Sequence, residues 1–466
     1  MPAPSPHTPT NEQPRVLGGL GAFSVVAGSM LGVGIFLFPG EMAREIGSAP
    51  AFLALWLVGG VVSLAGATAC GELGAMMPRA GGDYIFQRAA FGPSLAFASG
   101  WVLFAAVFAG STASLSVALF RYQIAGLAGA DLSAPIARAI PLSADQVCAV
   151  GFIVLVTLLN DRGARLSGRV QTLLTLVPIT AIIVLAISAG FSARGADAVT
   201  PNATAVASAP LTLAALASGY LFVNFAFSGW PNIIYVAGEV RNPGRNVPRS
   251  MITAVLIVTA VYLLFCGVAL GVLGLNTLAR LAGERTDTGT ALADAAFGPA
   301  ARTAVLATMA MVIATSVNAT VLASARVGYA MARDGAFWRA AARLNDRGVP
   351  RRALWLQAAF AVLFVTTGTF QTIVRATSAA MLLTGALTVS SLFVLRRRTP
   401  DAARPYRAAG HPWFPALYVA FSIAAIAAML SSADDALIPA VGLAILLVAY
   451  AAHRTARARG ADKSRA

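Results

Sequence analysis

Long apolar runs recur along this chain from about residue 16 to about residue 453, separated by short polar or basic stretches. A helix of about 20 apolar residues crosses a hydrocarbon core about 30 Å thick, and soluble domains rarely contain many such runs. Of the 466 residues, 58% are hydrophobic and only 11% are charged, and the mean hydropathy is +0.74. The sequence therefore predicts an all-α integral membrane protein.

Hydropathy and helix-breaking residues together place about twelve transmembrane helices along the chain. The predicted spans are 16–44, 50–77, 94–122, 146–159, 169–190, 212–236, 251–275, 302–331, 354–370, 373–395, 413–431 and 437–453.

The formal net charge of +15 raises the question of a nucleic-acid partner, and the positions of the basic residues argue against one. If the N-terminus is cytoplasmic, most of the 34 Lys and Arg residues fall in segments predicted to lie on the cytoplasmic side. This charge asymmetry is the one that orients membrane helices. The sequence therefore predicts a multi-pass protein of the cell membrane with both termini in the cytoplasm. Lipid headgroups, and no nucleic acid, are its expected partners at the basic surface.

Glycines interrupt two hydrophobic segments at matching places, one from Gly28 to Phe36 and one from Phe225 to Asn232. A break at mid-depth leaves backbone N–H and C=O groups that need protein, water or a bound solute. Half-helix N-termini favour a carboxylate and half-helix C-termini favour an ammonium group, so paired breaks are typical of a transporter site for amino acids. The alternative interpretation is that the glycines only permit close helix packing or a kink.

Four predicted spans separate the two breaks, which predicts a five-plus-five inverted repeat with two additional C-terminal helices. The expected segments are a cytoplasmic tail at 1–15, a first five-helix repeat at 16–190, an extracytoplasmic loop at 191–211, a second five-helix repeat at 212–395, a loop with helices 11 and 12 at 396–453, and a basic cytoplasmic tail at 454–466.

The sequence offers no sign of an enzyme or a cofactor. Cys70, Cys148 and Cys266 all fall in predicted spans and the three histidines are scattered, so neither a disulfide framework nor a metal site is expected. A phosphate-binding Gly-x-x-x-x-Gly-Lys-Ser/Thr loop is missing from the sequence, which argues against an ATP-driven pump within this chain. A gradient or an exchange reaction is the expected energy source.

Several motifs occur in a fixed order along the chain. They are Gly28-Ser29-Met30-Leu31-Gly32-Val33-Gly34-Ile35-Phe36, Gly71-Glu72-Leu73-Gly74 with Gly81-Gly82-Asp83-Tyr84, Phe225 to Asn232 with Glu239-Val240-Arg241-Asn242-Pro243, Ser316-Val317-Asn318 with Ser324-Ala325-Arg326, and Arg404-Pro405-Tyr406-Arg407. In these motifs the chain resembles the amino acid-polyamine-organocation (APC) superfamily of permeases, and within it the L-type amino acid transporter branch. The resemblance covers about residues 16–453 and implies a leucine-transporter-like fold without a cofactor.

The resemblance also implies roles for individual residues. Amides at Val33 and Gly34 bind the substrate carboxylate, and the carbonyl of Met30 helps to bind its ammonium group. Carbonyls at Phe225 and Ser228 complete the amine site, and the Phe225 ring closes over the substrate. The full set of expected substrate-binding residues is Met30, Gly32, Val33, Gly34, Phe225, Ala226, Ser228, Gly229, Trp230 and Asn318. Trp230 and Asn318 would line the side-chain end of the pocket, unless Trp230 only packs and Asn318 only hydrogen-bonds between helices.

Two positions depart from the pattern of that family. Val33 replaces a serine, which removes a hydroxyl and keeps the backbone N–H. Pro178 stands where many relatives have a lysine that replaces a sodium ion or carries a proton, and Lys463 is the only lysine in the chain. Proton coupling through a lysine is therefore not expected.

Few charged residues fall inside the predicted spans. Glu72, Glu239 and Arg326 lie near the predicted cytoplasmic ends, where they could pair to form a gate together with the Phe225 lid, or could be ordinary interfacial residues. The predicted pocket contains no acidic residue, so a neutral amino acid is favoured over a dibasic amino acid or a polyamine.

The sequence as a whole predicts a secondary transporter that moves neutral amino acids by exchange or facilitated transport. One alternative is a proton-coupled symporter of amino acids or of polyamines and other organic amines. The other is a receptor that binds an amino acid without transporting it. The partner glycoprotein of animal L-type relatives is not indicated, because about residues 123–145 contain no cysteine for the link.

Overall fold

Helices dominate the computed structural model, which describes residues 15, 17–32, 34–79, 81–137, 140–162, 168–192, 211–284, 286–431 and 436–463. The first half contains α1 (Gly19–Met30), α2 (Gly34–Ile46), α3 (Ala49–Met76), α4 (Asp83–Phe91), α5 (Pro93–Ala128), α6 (Ala144–Asp161) and α7 (Gly168–Phe191). The second half contains α8 (Leu213–Phe227), α9 (Asn232–Tyr235), α10 (Pro243–Leu273), α11 (Leu275–Glu284), α12 (Thr288–Phe297), α13 (Pro299–Arg333), α14 (Arg351–Thr367) and α15 (Phe370–Arg398), and α16 (Trp413–Leu430) and α17 (Leu437–Lys463) follow.

Each predicted span coincides with a long helix or, for the first and sixth spans, with a broken pair of helices. Within the described residues, nine segments are long and apolar enough to cross a membrane, and shorter apolar helices lie at Leu176–Phe191 and Leu213–Phe227. The helix α14 has 17 residues, which corresponds to about 26 Å at 1.5 Å per residue. The predicted fold class, a helical protein that crosses the membrane many times, is confirmed.

Some elements were not expected from the sequence. A short antiparallel hairpin joins α5 to α6 and consists of β1 (Pro135–Ala137) and β2 (Ile140–Ser143). The helix α17 continues to Lys463, through most of the segment predicted as a basic tail. Most of the predicted segments 1–15 and 191–211 lie outside the described residues, as does Val33.

The same turn sequence occurs once in each half of the chain. Both α4 and α12 end within an Ala-Ala-Phe-Gly-Pro sequence, at residues 89–93 and 295–299. The glycines have φ of +89° and +82°, which glycine adopts readily, and each proline starts the next long helix, where its missing N–H costs little. The shared turn is a local likeness between the two halves of the chain.

The two broken helices lie at the centre of the molecule. On one side, α1 packs against α10, α2 packs against α8, and α3 packs along α10. On the other side, α5, α13 and α15 face the breaks across an internal cavity. Before the first break, Leu17 N–H donates to the Glu239 carbonyl (2.9 Å) and the Leu17 carbonyl accepts from Arg241 N–H (2.8 Å), which ties the start of α1 to the exit of the second break.

Candidate substrate-binding site

The two helix breaks contact each other directly through their backbones. The first break follows Met30, where α1 ends, and the second begins at Ser228, which follows α8. A Cβ atom added to Gly229 would lie 2.2 Å from the carbonyl carbon of Ser29 and 2.4 Å from the amide nitrogen of Met30. Real Cβ atoms do not approach backbone atoms so closely, so only glycine permits this crossing.

A second close approach lies one helical turn away from the first. A Cβ atom on Gly34, the first residue of α2, would lie 2.7 Å from both Cα and Cβ of Ala226. Gly32 is less constrained, since its nearest neighbour would be Ser316 Oγ at 3.7 Å. Gly229 and Gly34 therefore permit close contact between the backbones of the two breaks. This is the close packing that the sequence left open as an alternative role for the glycines.

Tyr262 in α10 connects the carbonyl ends of both half-helices. Its hydroxyl lies 2.6 Å from the Met30 carbonyl oxygen, to which it donates, and 3.2 Å from that of Ala226. The hydroxyl is fully buried, and its single hydrogen faces both carbonyl oxygens. This contact brings the C-terminal ends of α1 and α8 close together. The Met30 carbonyl oxygen also accepts from Gly32 N–H at 2.8 Å, so both of its lone pairs have donors in this structure.

An internal cavity of about 90 Å³ lies beside the two breaks. This volume accommodates several water-sized groups. Eight of the predicted substrate-binding residues line it, namely Met30, Gly32, Gly34, Phe225, Ala226, Ser228, Gly229 and Trp230. One segment of α5 that lines the wall, Leu103–Phe108, is a π-helical turn, a local feature often found at functional sites.

Two aromatic residues of the second break close the cavity on different sides. Phe225 packs edge-to-face against Phe38 of α2, with ring centroids 5.6 Å apart. Trp230 lies edge-to-face against Tyr418 of α16, at 6.1 Å. Both side chains are at most 6% exposed. Trp230 therefore packs against Tyr418 and also lines the cavity.

Asn318 lies away from the cavity wall. Its Oδ1 accepts a hydrogen bond of 2.7 Å from Asn160 Nδ2, which joins α13 to α6. This is the interhelical hydrogen bond that the sequence left open as the alternative to substrate binding. From α13, Ser316 and Thr320 line the cavity instead.

The three charged residues predicted as a gate separate into two groups. Glu239 forms an ion pair with Arg326, which joins the exit of the second break to α13. Glu72 lies apart and is fully buried, with Arg396 and Arg404 as its ionic partners. The ion pair Glu239–Arg326 is thus placed where a gate could act, whereas Glu72 connects α3 to the end of α15 and the segment that follows.

The structure adds an acidic residue to the cavity that the sequence did not place there. Asp83, the first residue of α4, lines the cavity wall and is 6% exposed. The premise that the pocket has no acidic side chain is wrong for this cavity. Burial raises the pKa of Asp83 to about 6. The Gly81-Gly82 pair before Asp83, with positive φ at both residues, is the sequence signal that a tight turn redirects the chain here.

Metal chemistry finds no support in the side chains that the structure describes. Within the ranges given above, no group of three or more His, Cys, Asp or Glu residues is placed to hold a metal ion. The polar groups that converge on the cavity are backbone groups and neutral side chains, with Asp83 as the acidic member. Such a set suits a small zwitterion that is held by hydrogen bonds.

Comparison with known proteins agrees with this geometry. The sequence pattern of a family described as amino acid permease matches residues 17–449. The serine/threonine exchanger SteT of Bacillus subtilis is 26% identical over 429 residues, which cover 89% of this chain and 91% of the relative. The human cystine/glutamate transporter is 28% identical over 445 residues (92% and 83%). The mouse large neutral amino acids transporter small subunit 2 is 26% identical over 453 residues (93% and 79%).

The match to the family spans more than nine-tenths of the chain and includes both helix breaks and all the elements around the cavity. This extent confirms the resemblance drawn from the ordered motifs. The chain therefore belongs to the amino acid permease family of the APC superfamily and is an amino acid transporter rather than an enzyme.

Proposed function

We propose that this protein exchanges neutral amino acids across the cell membrane by alternating access, with both termini in the cytoplasm. The observation that carries the proposal is the crossing of two broken helices at Gly229, where residues of both half-helices line one cavity. The names of its relatives support exchange and amino acid substrates. The excess of arginine in the loops predicted to be cytoplasmic supports this orientation. A cysteine introduced in the 399–412 loop, labelled by a reagent that reaches only one side of the membrane, would test it.

In this proposal the substrate carboxylate binds at the N-terminal end of α2, where Gly34 presents its N–H and the helix dipole is positive. The ammonium group binds the carbonyls of Met30 and Phe225, at the C-terminal ends of α1 and α8. Tyr262 holds the C-terminal ends of α1 and α8 together through the carbonyls of Met30 and Ala226. The side chain of the substrate then extends toward Trp230, along a wall that is mostly apolar.

Exchange predicts that uptake depends on substrate inside the vesicle. We expect purified protein in liposomes to take up labelled serine, threonine or leucine when the lumen contains unlabelled neutral amino acid, and to take up much less when the lumen is empty. Protein-free liposomes are the control. Uptake that an inward pH gradient drives into empty vesicles would establish a proton symporter instead. Binding without any flux would establish a receptor.

Proton coupling remains the second candidate function because one observation favours it. Asp83 supplies a titratable carboxyl group in the cavity wall, although the chain has no lysine in α7 and Pro178 lies buried within that helix. The pH-gradient condition of the same experiment distinguishes symport from exchange.

We also propose that Glu239 and Arg326 form a gate that keeps the cavity closed on the side of α9. The two side chains are 14% and 15% exposed, so water screens their attraction only partly. Loss of a partly buried ion pair costs more than the about 0–1 kcal/mol of an exposed pair and less than the about 3–5 kcal/mol of a fully buried one. The loss of this pair in Glu239→Gln is expected to open the cavity about tenfold more often, because about 1.4 kcal/mol corresponds to a factor of ten.

Cys70 provides the measurement for this gate, because it is buried in the cavity wall. With Cys148 and Cys266 replaced by alanine, Cys70 is the only thiol left, and its rate of alkylation by a maleimide reports cavity opening. Glu239→Gln should speed the reaction about tenfold. The variant Arg351→Gln, which breaks an exposed ion pair with Asp161, should leave the rate unchanged. An unchanged rate in Glu239→Gln would contradict the gate.

A further inference from the structure

Asp83 occupies an unusual position for an ionisable side chain. It follows the tight turn at Gly81 and Gly82, where φ is +114° and +45°, and it begins α4. This turn directs the chain back against α15 and places the carboxyl group in the cavity wall. The side chain therefore borders the proposed substrate cavity, and the residue is only 6% exposed in this structure.

The neighbours of Asp83 are neutral hydrogen-bonding groups. The Tyr235 hydroxyl in α9 donates to Asp83 Oδ2 at 2.6 Å, and Thr388 of α15 is a second polar neighbour. The titratable groups within electrostatic range are Tyr235, Cys70 of α3 and Tyr418 of α16, and each is neutral in its protonated form.

The arginines on the surrounding helices interact with other groups. Arg88 of α4 forms an ion pair with Asp334, and Arg326 of α13 pairs with Glu239. At the end of α15, Arg396 pairs with Glu72 and Arg398 donates to the Ala90 carbonyl. Within the part of the chain that the structure describes, none of the ion pairs includes Asp83. An ionised Asp83 would thus be a buried charge that only hydroxyl groups stabilise.

Removal from water is the main cause of the raised pKa of Asp83, and the hydrogen bond from Tyr235 opposes it. An aspartate in water has a pKa of about 3.9. When the cavity opens and water reaches Asp83, its pKa must fall toward this ordinary value because the desolvation disappears. Closure and protonation are therefore thermodynamically linked.

We propose that Asp83 is a proton-binding site of the cavity, which takes up one proton from water when the cavity closes around the substrate and releases it when the cavity opens. In the uptake step, a proton from hydronium forms an O–H bond with a carboxylate oxygen, and the charge of the side chain changes from −1 to 0. The inference rests on the proposed function, since it concerns the closing step of the same transport cycle.

The direction of the pH effect follows from the two pKa values. The closed state has the higher value, about 6, so closure is easiest below about pH 4, where both states are protonated. The advantage is lost progressively as pH rises toward 6 and beyond. A pKa difference of about two units changes the closing equilibrium by about tenfold between pH 8 and pH 5. Where closure limits the rate, exchange is faster at acidic pH.

The test is the initial rate of exchange of labelled serine in proteoliposomes, with the same pH on both sides and values from 5 to 8. The wild-type rate should rise up to about tenfold as pH falls from 8 to 5. Asp83→Asn cannot ionise and should show a flat profile. Tyr235→Phe keeps the carboxyl group but loses the donor that favours its ionised form, so its rate should begin to rise at a higher pH than that of the wild type.

Asp287 provides a matched control for a buried aspartate outside this cavity. It precedes α12, and burial raises its pKa to about 6 as well. Its carboxylate accepts from Thr290 N–H at 2.8 Å, so it caps the helix, a role that asparagine fulfils equally well. Asp287→Asn should therefore keep the wild-type pH profile.

The outcomes separate this inference from the proposed function. If the wild type shows no exchange at any pH, the proposed function fails and the inference falls with it. A wild-type rate that does not change with pH, or an Asp83→Asn variant that keeps the wild-type profile, overturns the proton site alone. If Asp83→Asn does not exchange at all, Tyr235→Phe decides, and a rate that begins to rise at the same pH as in the wild type overturns the assignment.

Discussion

Alanine at position 229 is expected to abolish exchange. The added Cβ atom would lie 2.2 Å from the Ser29 carbonyl carbon and 2.3 Å from its oxygen. Both are backbone atoms, so no side-chain rotation relieves the clash, and the two breaks must move apart by about 1 Å to reach an ordinary contact distance. A displacement of this size in a positioned site reduces function on the order of 100-fold. Initial exchange rates in proteoliposomes, at equal amounts of reconstituted protein, measure the effect.

Gly271→Ala is the matched control for this variant. Gly271 lies inside α10, and a Cβ atom there would meet no atom within 4 Å. Alanine in a helix interior is favoured over glycine by about 1 kcal/mol, so this protein should transport as the wild type does. A Gly229→Ala protein that elutes as a single species and still exchanges at the wild-type rate would show that the contact of the two breaks is not needed for transport.

Replacement of Glu72 by glutamine is expected to cause the largest loss of stability among the ion pairs described above. The buried carboxylate accepts from Arg396 Nε at 3.0 Å and from Ala408 N–H at 2.6 Å, and Arg404 Nε lies 3.2 Å away as a second ionic partner. An amide has one acceptor oxygen and turns its NH₂ group toward a guanidinium. Removal of one partner from a buried ionic cluster costs about 3–5 kcal/mol, because the remaining charges are left unpaired.

Thermal unfolding in detergent, followed at one fixed heating rate, measures this loss of stability. Arg351→Ala serves as the comparison, because Arg351 is 65% exposed in its pair with Asp161 and such surface pairs contribute about 0–1 kcal/mol. Glu72→Gln should melt several degrees below both the wild type and Arg351→Ala. Equal melting temperatures for the two variants would mean that the cluster around Glu72 does not hold α3 to α15.

Much of the cavity wall could be predicted from the sequence, because the glycines of a helix break are local features. Eight of the ten expected binding residues line the cavity, and their contact was implied by two breaks at matching positions. Asn318 was harder to place, since either face of α13 could have turned toward the cavity. The hydrogen bond to Asn160 follows from how α13 and α6 meet, which their separate sequences do not specify.

Asp83 shows why one feature of the site escaped sequence analysis. The residue lies outside the predicted spans, in a loop that the hydropathy pattern treats as polar surface. Only the turn at Gly81 and Gly82, together with the packing of α4 on α15, brings its carboxyl group to Tyr235, 152 positions later in the chain. Similarly, the expected grouping of Glu72 with Arg326 did not form, because the ends of α3 and α15 bring Glu72 to Arg396.

The sequence by itself determined which segments cross the membrane, where two of them break, and the class of transporter. These properties are local, because each helix in lipid must satisfy its own backbone hydrogen bonds and must be long enough to span the hydrocarbon core. The tertiary structure alone decided which side chains meet: Tyr262 with two carbonyls, Glu72 with its arginines, and Asp83 with the cavity. Those contacts depend on how helices distant in sequence pack and rotate against each other. The hydropathy of a single helix does not specify its rotation or its neighbours.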